Sequence, residues 1–185
     1  MRVILLSGKR FAGKDEVKQI LLGLLSNSVG LSLADECKRM YAEDNNLDSN
    51  RLIGDRDYKE IYRNGLTEFY QKSLTKDEFF FESYVESIIK TTVADIIIIA
   101  DIRTQNNLKY FRKMFGINCI SIRINSSIEE KCKRGWIETN YDTSSIEIGL
   151  DSVDDWDYTI LNNGTLNDLN KNTLKVALDI NKTVI

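Results

Sequence analysis

Val3-Ile4-Leu5-Leu6-Ser7-Gly8-Lys9-Arg10-Phe11-Ala12-Gly13-Lys14-Asp15 joins an apolar run to the pattern G-x-x-x-x-G-K, with aspartate where serine or threonine usually follows. The apolar run suits a buried strand, and Val17, Ile20, Leu21, Leu24 and Leu25 then recur at helical spacing. A glycine-containing loop between strand and helix points backbone N–H groups and the positive helix end at one place, which suits a chain of phosphates. Gly8, Lys9, Arg10, Ala12, Gly13, Lys14 and Asp15 are therefore candidate nucleotide contacts, with Lys14 placed to reach β and γ oxygens. A carboxylate beside a triphosphate needs a metal between them, so Asp15 is a candidate Mg²⁺ ligand, directly or through water. An acidic residue also suits the first turn of a helix on electrostatic grounds alone.

Further apolar runs at 95–100 and 119–124 flank a helical pattern over 107–115 that stops at Gly116. A short run over 157–161, the turn Asn162-Asn163-Gly164 and a closing helix with Leu166, Leu169, Leu174, Ala177 and Leu178 on one face complete the pattern. Strands separated by helices imply a parallel sheet, and with the opening loop they give a P-loop NTPase architecture of three layers, α/β/α. Residues 35–91 show no strand pattern and read as helices over 34–44, 58–73 and 78–90, a helical insert over one end of the sheet. Residues 126–147 mix charges and aromatics without a clean period, which predicts a mobile lid closing over a ligand.

The chain has 185 residues, and at about 150 residues per domain this predicts one P-loop domain over 1–185. It contains no histidine, which excludes histidine-based triads, imidazole proton shuttles and the usual zinc sites. A net charge of −3 gives no global field for nucleic acid or anionic membrane, so an anionic ligand must be held locally. Cys37, Cys119 and Cys132 are odd in number and never form a C-x-x-C pair, which points to reduced thiols and a cytoplasmic protein. The five-residue run at 96–100 is far below the roughly 20 residues that span a bilayer. The expected partner is a small phosphate-bearing molecule, bound by a monomer or weak homo-oligomer.

Asp101 closes the second apolar strand, where P-loop proteins carry a second, metal-orienting acid, although a helix cap also explains an aspartate there. A phosphoryl group in flight spreads negative charge over its equatorial oxygens, so catalysis rests on positioning and cations. Arg10, Arg103 and Arg134 are candidates to supply them. Arg10 and Arg103 are favoured, because both belong to the carboxyl end of the sheet, where open α/β folds bind ligands.

Leu6-Ser7-Gly8-Lys9-Arg10 with Gly13-Lys14-Asp15, residues 57–63, Ala100-Asp101-Ile102-Arg103, Arg134-Gly135-Trp136 with Thr139, Glu147-Ile148-Gly149-Leu150-Asp151, and Asp157 with Asn162-Asn163-Gly164 together resemble the animal-type phosphomevalonate kinase family. The resemblance implies a nucleoside-monophosphate-kinase-like fold and transfer of the ATP γ-phosphate onto the phosphate of 5-phosphomevalonate. It assigns ATP and the transferring group to Lys9, Arg10, Lys14, Arg103 and Arg134, with Asn163 in the Asn-x-Gly turn beside ATP. A phosphate acceptor with a second pKa of about 6 is already ionised near neutrality, so no general base is required.

Departures from the family fall on the acceptor side. Ser73, Glu82 and Thr104 stand where the resemblance expects arginines, which leaves Lys38, Lys59, Arg63 and Lys72, with Arg103, to meet the acceptor's anions. A second reading is a deoxynucleoside monophosphate kinase with a base pocket lined by Tyr62, Phe69, Tyr70, Phe79 and Tyr84. A third is a nucleotide-binding module without turnover.

Overall fold

The computed structural model describes residues 1–182 and divides the chain into two compact units. One comprises Met1–Gly30 and the chain from Val93 onward; the other is Leu31–Thr92.

The first unit is built on a sheet. Its elements are β1 (Arg2–Gly8), α1 (Lys14–Leu24) and β2 (Ser28–Ser32), the last of which runs two residues into the second unit. After the helical unit come β3 (Ile96–Ile102) and α6 (Gln105–Phe115), then β4 (Cys119–Asn125) and α7 (Ile128–Lys133). A one-turn α8 (Ser145–Ile148), β5 (Tyr158–Leu161) and α9 (Leu166–Lys182) end the unit. The strand order is β2-β3-β1-β4-β5, and β1 lies parallel to both β3 and β4, as β4 does to β5.

Continuous apolar runs are what a parallel sheet covered on both faces requires. Ile4, Leu6, Ile98, Ile122 and Ile124 pack on one face with Val17 and Leu21 of α1 and Ala177 and Ile180 of α9. Alternate residues turn the other way. Val3, Leu5, Ile97 and Ile99 are fully buried there, on the face that α6 closes with Leu108 and Phe111. This is the three-layer arrangement expected from the sequence.

β2 was not foreseen. Its sequence, Ser-Val-Gly-Leu-Ser, holds no apolar run, and only Ser32 in it is buried, as suits an edge strand. The face of α9 also corrects the leucine-based expectation. Leu169, Thr173, Val176, Ala177 and Ile180 are buried, whereas Leu166, Leu174 and Leu178 are 58%, 41% and 49% exposed. Thr173 and Val176 sit at the helical spacing that faces the sheet, and leucine identity alone did not reveal it.

The second unit is helical: α2 (Leu33–Asn45), α3 (Ser49–Gly54), α4 (Arg56–Lys76) and α5 (Phe80–Thr91). Side chains of Ser32, Asp48 and Asp55 cap the first three by accepting hydrogen bonds from first-turn N–H groups. Its interior is aromatic. Tyr70 stacks on Phe81 with centroids 5.1 Å apart, and Phe69 lies edge-on to Tyr41 and Phe81 at 5.8 and 6.3 Å. Phe69 and Tyr70, two of the five aromatics offered for a base pocket, pack against other rings of this unit. Ser73 is 6% and Glu82 1% exposed, so two of the positions where the resemblance expects arginines are buried in this chain.

Candidate active site

The loop after β1 closes with Ala12 N–H donating to Lys9 O at 3.1 Å and turns into α1 through Gly13, whose φ is +95°. A Cβ at Gly13 would lie 2.3 Å from Asn162 Nδ2, which itself donates to Ala12 O at 2.9 Å. Only glycine fits there. No side chain caps α1, so its first-turn N–H groups, which lack partners within the helix, are available to a phosphate. Phe11, at the top of the loop, has φ +59°, a strained conformation for a residue with a side chain.

Asp101 is the second strained residue, with φ +62°. The register between β1 and β3 slips here, Leu5 pairing with Ile99 and Ser7 with Ile102. Asp101 is therefore a bulge inside β3 rather than its last residue, and Oδ1 faces Lys14 Nζ at 4.0 Å and Arg103 Nη2 at 3.1 Å. Bulges re-aim side chains at sites, and nothing in the local sequence announces this one.

Lys14 is almost completely buried, and its ammonium donates to Lys9 O at 3.2 Å. Burial, with the nearby Arg103 charge, lowers its pKa, while Asp101, Glu147 and Asp15 pull the other way. For Arg103 burial also opposes the charge, but Asp101 and Glu147 outweigh it and raise its pKa. Its Nη1 reaches Glu147 Oε2 at 2.5 Å. The Arg103 backbone N–H donates to Asn107 Oδ1 at 3.0 Å, within a capping box in which Thr104 caps α6. Thr104, the third departure from the family arginines, therefore has a structural task.

Acids in the segment expected as a lid, 126–147, and just beyond it pair with the loop cations. Lys9 meets Asp151 at 2.5 Å and Arg10 meets Asp142 at 3.1 Å, while Glu147 also accepts from the Arg10 backbone N–H. Burial works against the Asp142 anion, but hydrogen bonds from Trp136 and Thr139 and the Arg10 charge hold its carboxyl below the usual range. Arg134 Nη1 donates to Phe11 O at 3.2 Å and Ser126 Oγ at 2.9 Å, and its Nη2 to Asn162 O at 2.7 Å. Its guanidinium is thus tied to the loop backbone, and Asn163 Oδ1 accepts from Ser127 N–H beside it. The segment is ordered into α7, a 3₁₀ turn over Asn140–Thr143 and α8, elements too short to show a period.

Gly8, Lys9, Arg10, Ala12, Gly13, Lys14, Asp101, Arg103 and Arg134 are therefore brought together. Asp15 is exposed in the first turn of α1. A cavity of about 430 Å³ adjoins the loop, lined among others by Lys9, Arg123, Lys131, Asp151 and Trp156. Arg123, Lys131, Glu147 and Trp156 carry no site assignment from sequence; Arg123, Glu147 and Trp156 gain their places through partners distant along the chain. Lys38, Lys59 and Arg63 gather in the helical unit, where burial and then the charges of Lys38 and Arg63 lower the Lys59 pKa. Lys38 pairs with Asp35 at 2.7 Å and Arg63 with Glu60.

Among the described residues no three or more His, Cys, Asp or Glu are grouped to hold a metal. Mg²⁺ asks for less, one or two carboxylates with phosphate oxygens and water. Of the two expected ligands, Asp15 is exposed and Asp101 Oδ1 is paired with Lys14 and Arg103.

A parallel sheet of order 2-3-1-4-5 with this loop, buried lysine and strand-end arginine defines a P-loop kinase fold. The chain resembles TT1252 from Thermus thermophilus (TM-score 0.58, 16% identity, 97% of each chain covered) and shikimate kinase from Acinetobacter baumannii (TM-score 0.54, 14% identity, 100% and 93% covered). Within that fold, the phosphomevalonate kinase family model matches residues 6–117, and the chain belongs to that family. Phosphomevalonate kinase of Drosophila melanogaster is 29% identical over 183 residues, 97% of this chain and 96% of the fly protein. These matches favour that family over the deoxynucleoside monophosphate kinase reading.

Proposed function

We propose that this protein transfers the γ-phosphoryl group of ATP to the phosphate of 5-phosphomevalonate, giving the diphosphate. The observation that carries the reading is the meeting of Lys14 and Arg103 on Asp101 beside the phosphate loop in a chain of this family. Loop backbone N–H groups other than those of Arg10 and Ala12, which are already bonded within the protein, join the open first turn of α1 in holding the β- and γ-phosphates. Lys14, its ammonium already desolvated, meets charge that grows in the transition state without reorganising solvent. Arg103 and Arg10 face the equatorial oxygens, and Lys9, Arg134 and Asn163 hold the rest of ATP. Asp15 and Asp101 would hold Mg²⁺, which would supply positive charge beside the phosphates.

Lys38, Lys59 and Arg63 offer charge to the acceptor's carboxylate and phosphate. Lys59 makes no salt bridge among the described residues, and its pKa is lowered first by burial and then by the like charges of Lys38 and Arg63, which a bound anion would offset. The attacking phosphate oxygen is already ionised, so the missing histidine costs nothing. The protein works as a monomer or weak oligomer in the cytoplasm. No helix among the described residues is long and apolar enough to cross a membrane.

The test is ADP release with Mg²⁺-ATP over a panel of phosphomevalonate, thymidine monophosphate and deoxyguanosine monophosphate. The expected result is turnover confined to phosphomevalonate. Preference for either nucleotide would replace this reading, and release with no acceptor on the panel would mean that the chain binds ATP without this transfer.

A further inference from the structure

We infer that Glu147 is a positioning residue for phosphoryl transfer, its buried carboxylate locking the Arg103 guanidinium and the backbone of the phosphate loop into one arrangement. The inference rests on the reading that Arg103 acts on the transferred group. Glu147 belongs to the one-turn α8, far from the loop in sequence, yet its two oxygens reach two different parts of the site. Oε1 accepts from Arg10 N–H, and Oε2 accepts from Arg103 Nη1 at 2.5 Å. Arg103 is held from its other side by Asp101 at 3.1 Å. Gripped by carboxylates at Nη1 and Nη2, the planar guanidinium cannot rotate without breaking a charge-assisted bond.

Burial separates this pair from its neighbours. The Glu147 side chain is 1% exposed, against 12% for Asp142 and 41% for Asp151. Exposed pairs contribute little, whereas removing one partner of a buried pair strands the other's charge. Close packing fixes α8 in place. A Cβ on Gly149 would lie 3.0 Å from Arg103 O and 2.5 Å from Ser145 O, so the helix turn lies directly against the Arg103 backbone. The arrangement sets the direction of Arg103 before substrate arrives, which is what a cation in a transition-state role needs.

A double-mutant cycle over Glu147→Gln and Arg103→Met tests this. Glutamine keeps the size and can still accept from Arg10 N–H, so the Glu147→Gln variant is expected to hold ATP within about threefold while kcat for phosphomevalonate falls about 10- to 100-fold. In the Arg103→Met background the same change should lower kcat less than twofold further, because Glu147 acts through Arg103. Equal fold losses in both backgrounds, or a loss below threefold in the parent, would overturn the proposal. Should Glu147→Gln melt below the assay temperature, the cycle is run with Glu147→Asp, read the same way.

Melting temperatures supply a readout that needs no acceptor. The double variant should melt no lower than Arg103→Met alone, since it removes the stranded carboxylate. Additive losses of melting temperature would sink the coupling. A parent protein inert toward phosphomevalonate but coupled in melting would defeat the substrate reading while leaving the Glu147–Arg103 lock standing.

Discussion

Lys14 shows how the site trades stability for readiness. Its ammonium is buried, and burial is the largest influence lowering its pKa, so holding the charged form there opposes folding. Lys14→Met should therefore melt at or above the parent temperature while kcat falls by about 10³-fold or more. Retained activity in that variant would remove the phosphate-loop account. The thiols behave differently. Burial pushes Cys37 up to about 12 and Cys119 up to about 11, while Cys132 is exposed. At pH 8 exposed Cys132 should react quickly with a disulfide reagent, half-buried Cys119 more slowly and buried Cys37 slowest. Both raised values favour the protonated folded form, so this contribution to stability is complete below the ordinary thiol pKa near 9. It is lost as pH rises through about 11 and 12, and Cys37→Ala should flatten the upper part of that decline. An unchanged slope in that variant would contradict the assignment.

Helix ends carry a separate lesson at the scale of elements. Thr104 caps α6 and shares its box with Asn107, whose side chain also accepts from Arg103 N–H. Thr104→Arg, which restores the arginine expected from the family, should cost about 1 kcal/mol of stability in a urea titration, and Thr104→Ser almost nothing. Equal stabilities for the arginine and serine variants would show that the cap is idle. Elements that were legible in the sequence carried a strong local signal. The runs at 3–6, 95–100 and 119–124 gave three strands because both faces of a covered parallel sheet want apolar residues. β2, with glycine and two serines at the sheet edge, gave no such signal, and the short α3, α7 and α8 lie below the length at which a period shows. The Asp101 bulge was illegible for another reason: it is set by pairing with β1, not by residues beside it.

For the molecule as a whole, the loop motif and Asp101-Ile102-Arg103 were legible as parts of a candidate site because both are local patterns, and the fold brings them together. Apart from Asp101, the acids that meet these cations drew no assignment. Arg103 and Glu147 are 44 residues apart, and Lys9 and Asp151 are 142 apart, so folding alone makes them neighbours. These ties also couple the loop to residues 126–151. An ATP analogue with Mg²⁺ should slow hydrogen exchange over 126–148 as well as 8–15, since Arg134 and Glu147 bond to the loop backbone. Protection confined to 8–15 would show that the segment takes no part in nucleotide binding. The central claim is a transfer from ATP onto a phosphate oxygen, and phosphorus NMR of the reaction mixture reads that bond directly. With Mg²⁺-ATP and phosphomevalonate, the account predicts that the phosphomonoester resonance disappears as a coupled pair of diphosphate resonances grows in step with ADP. An undiminished phosphomonoester resonance alongside ADP and free inorganic phosphate would contradict it.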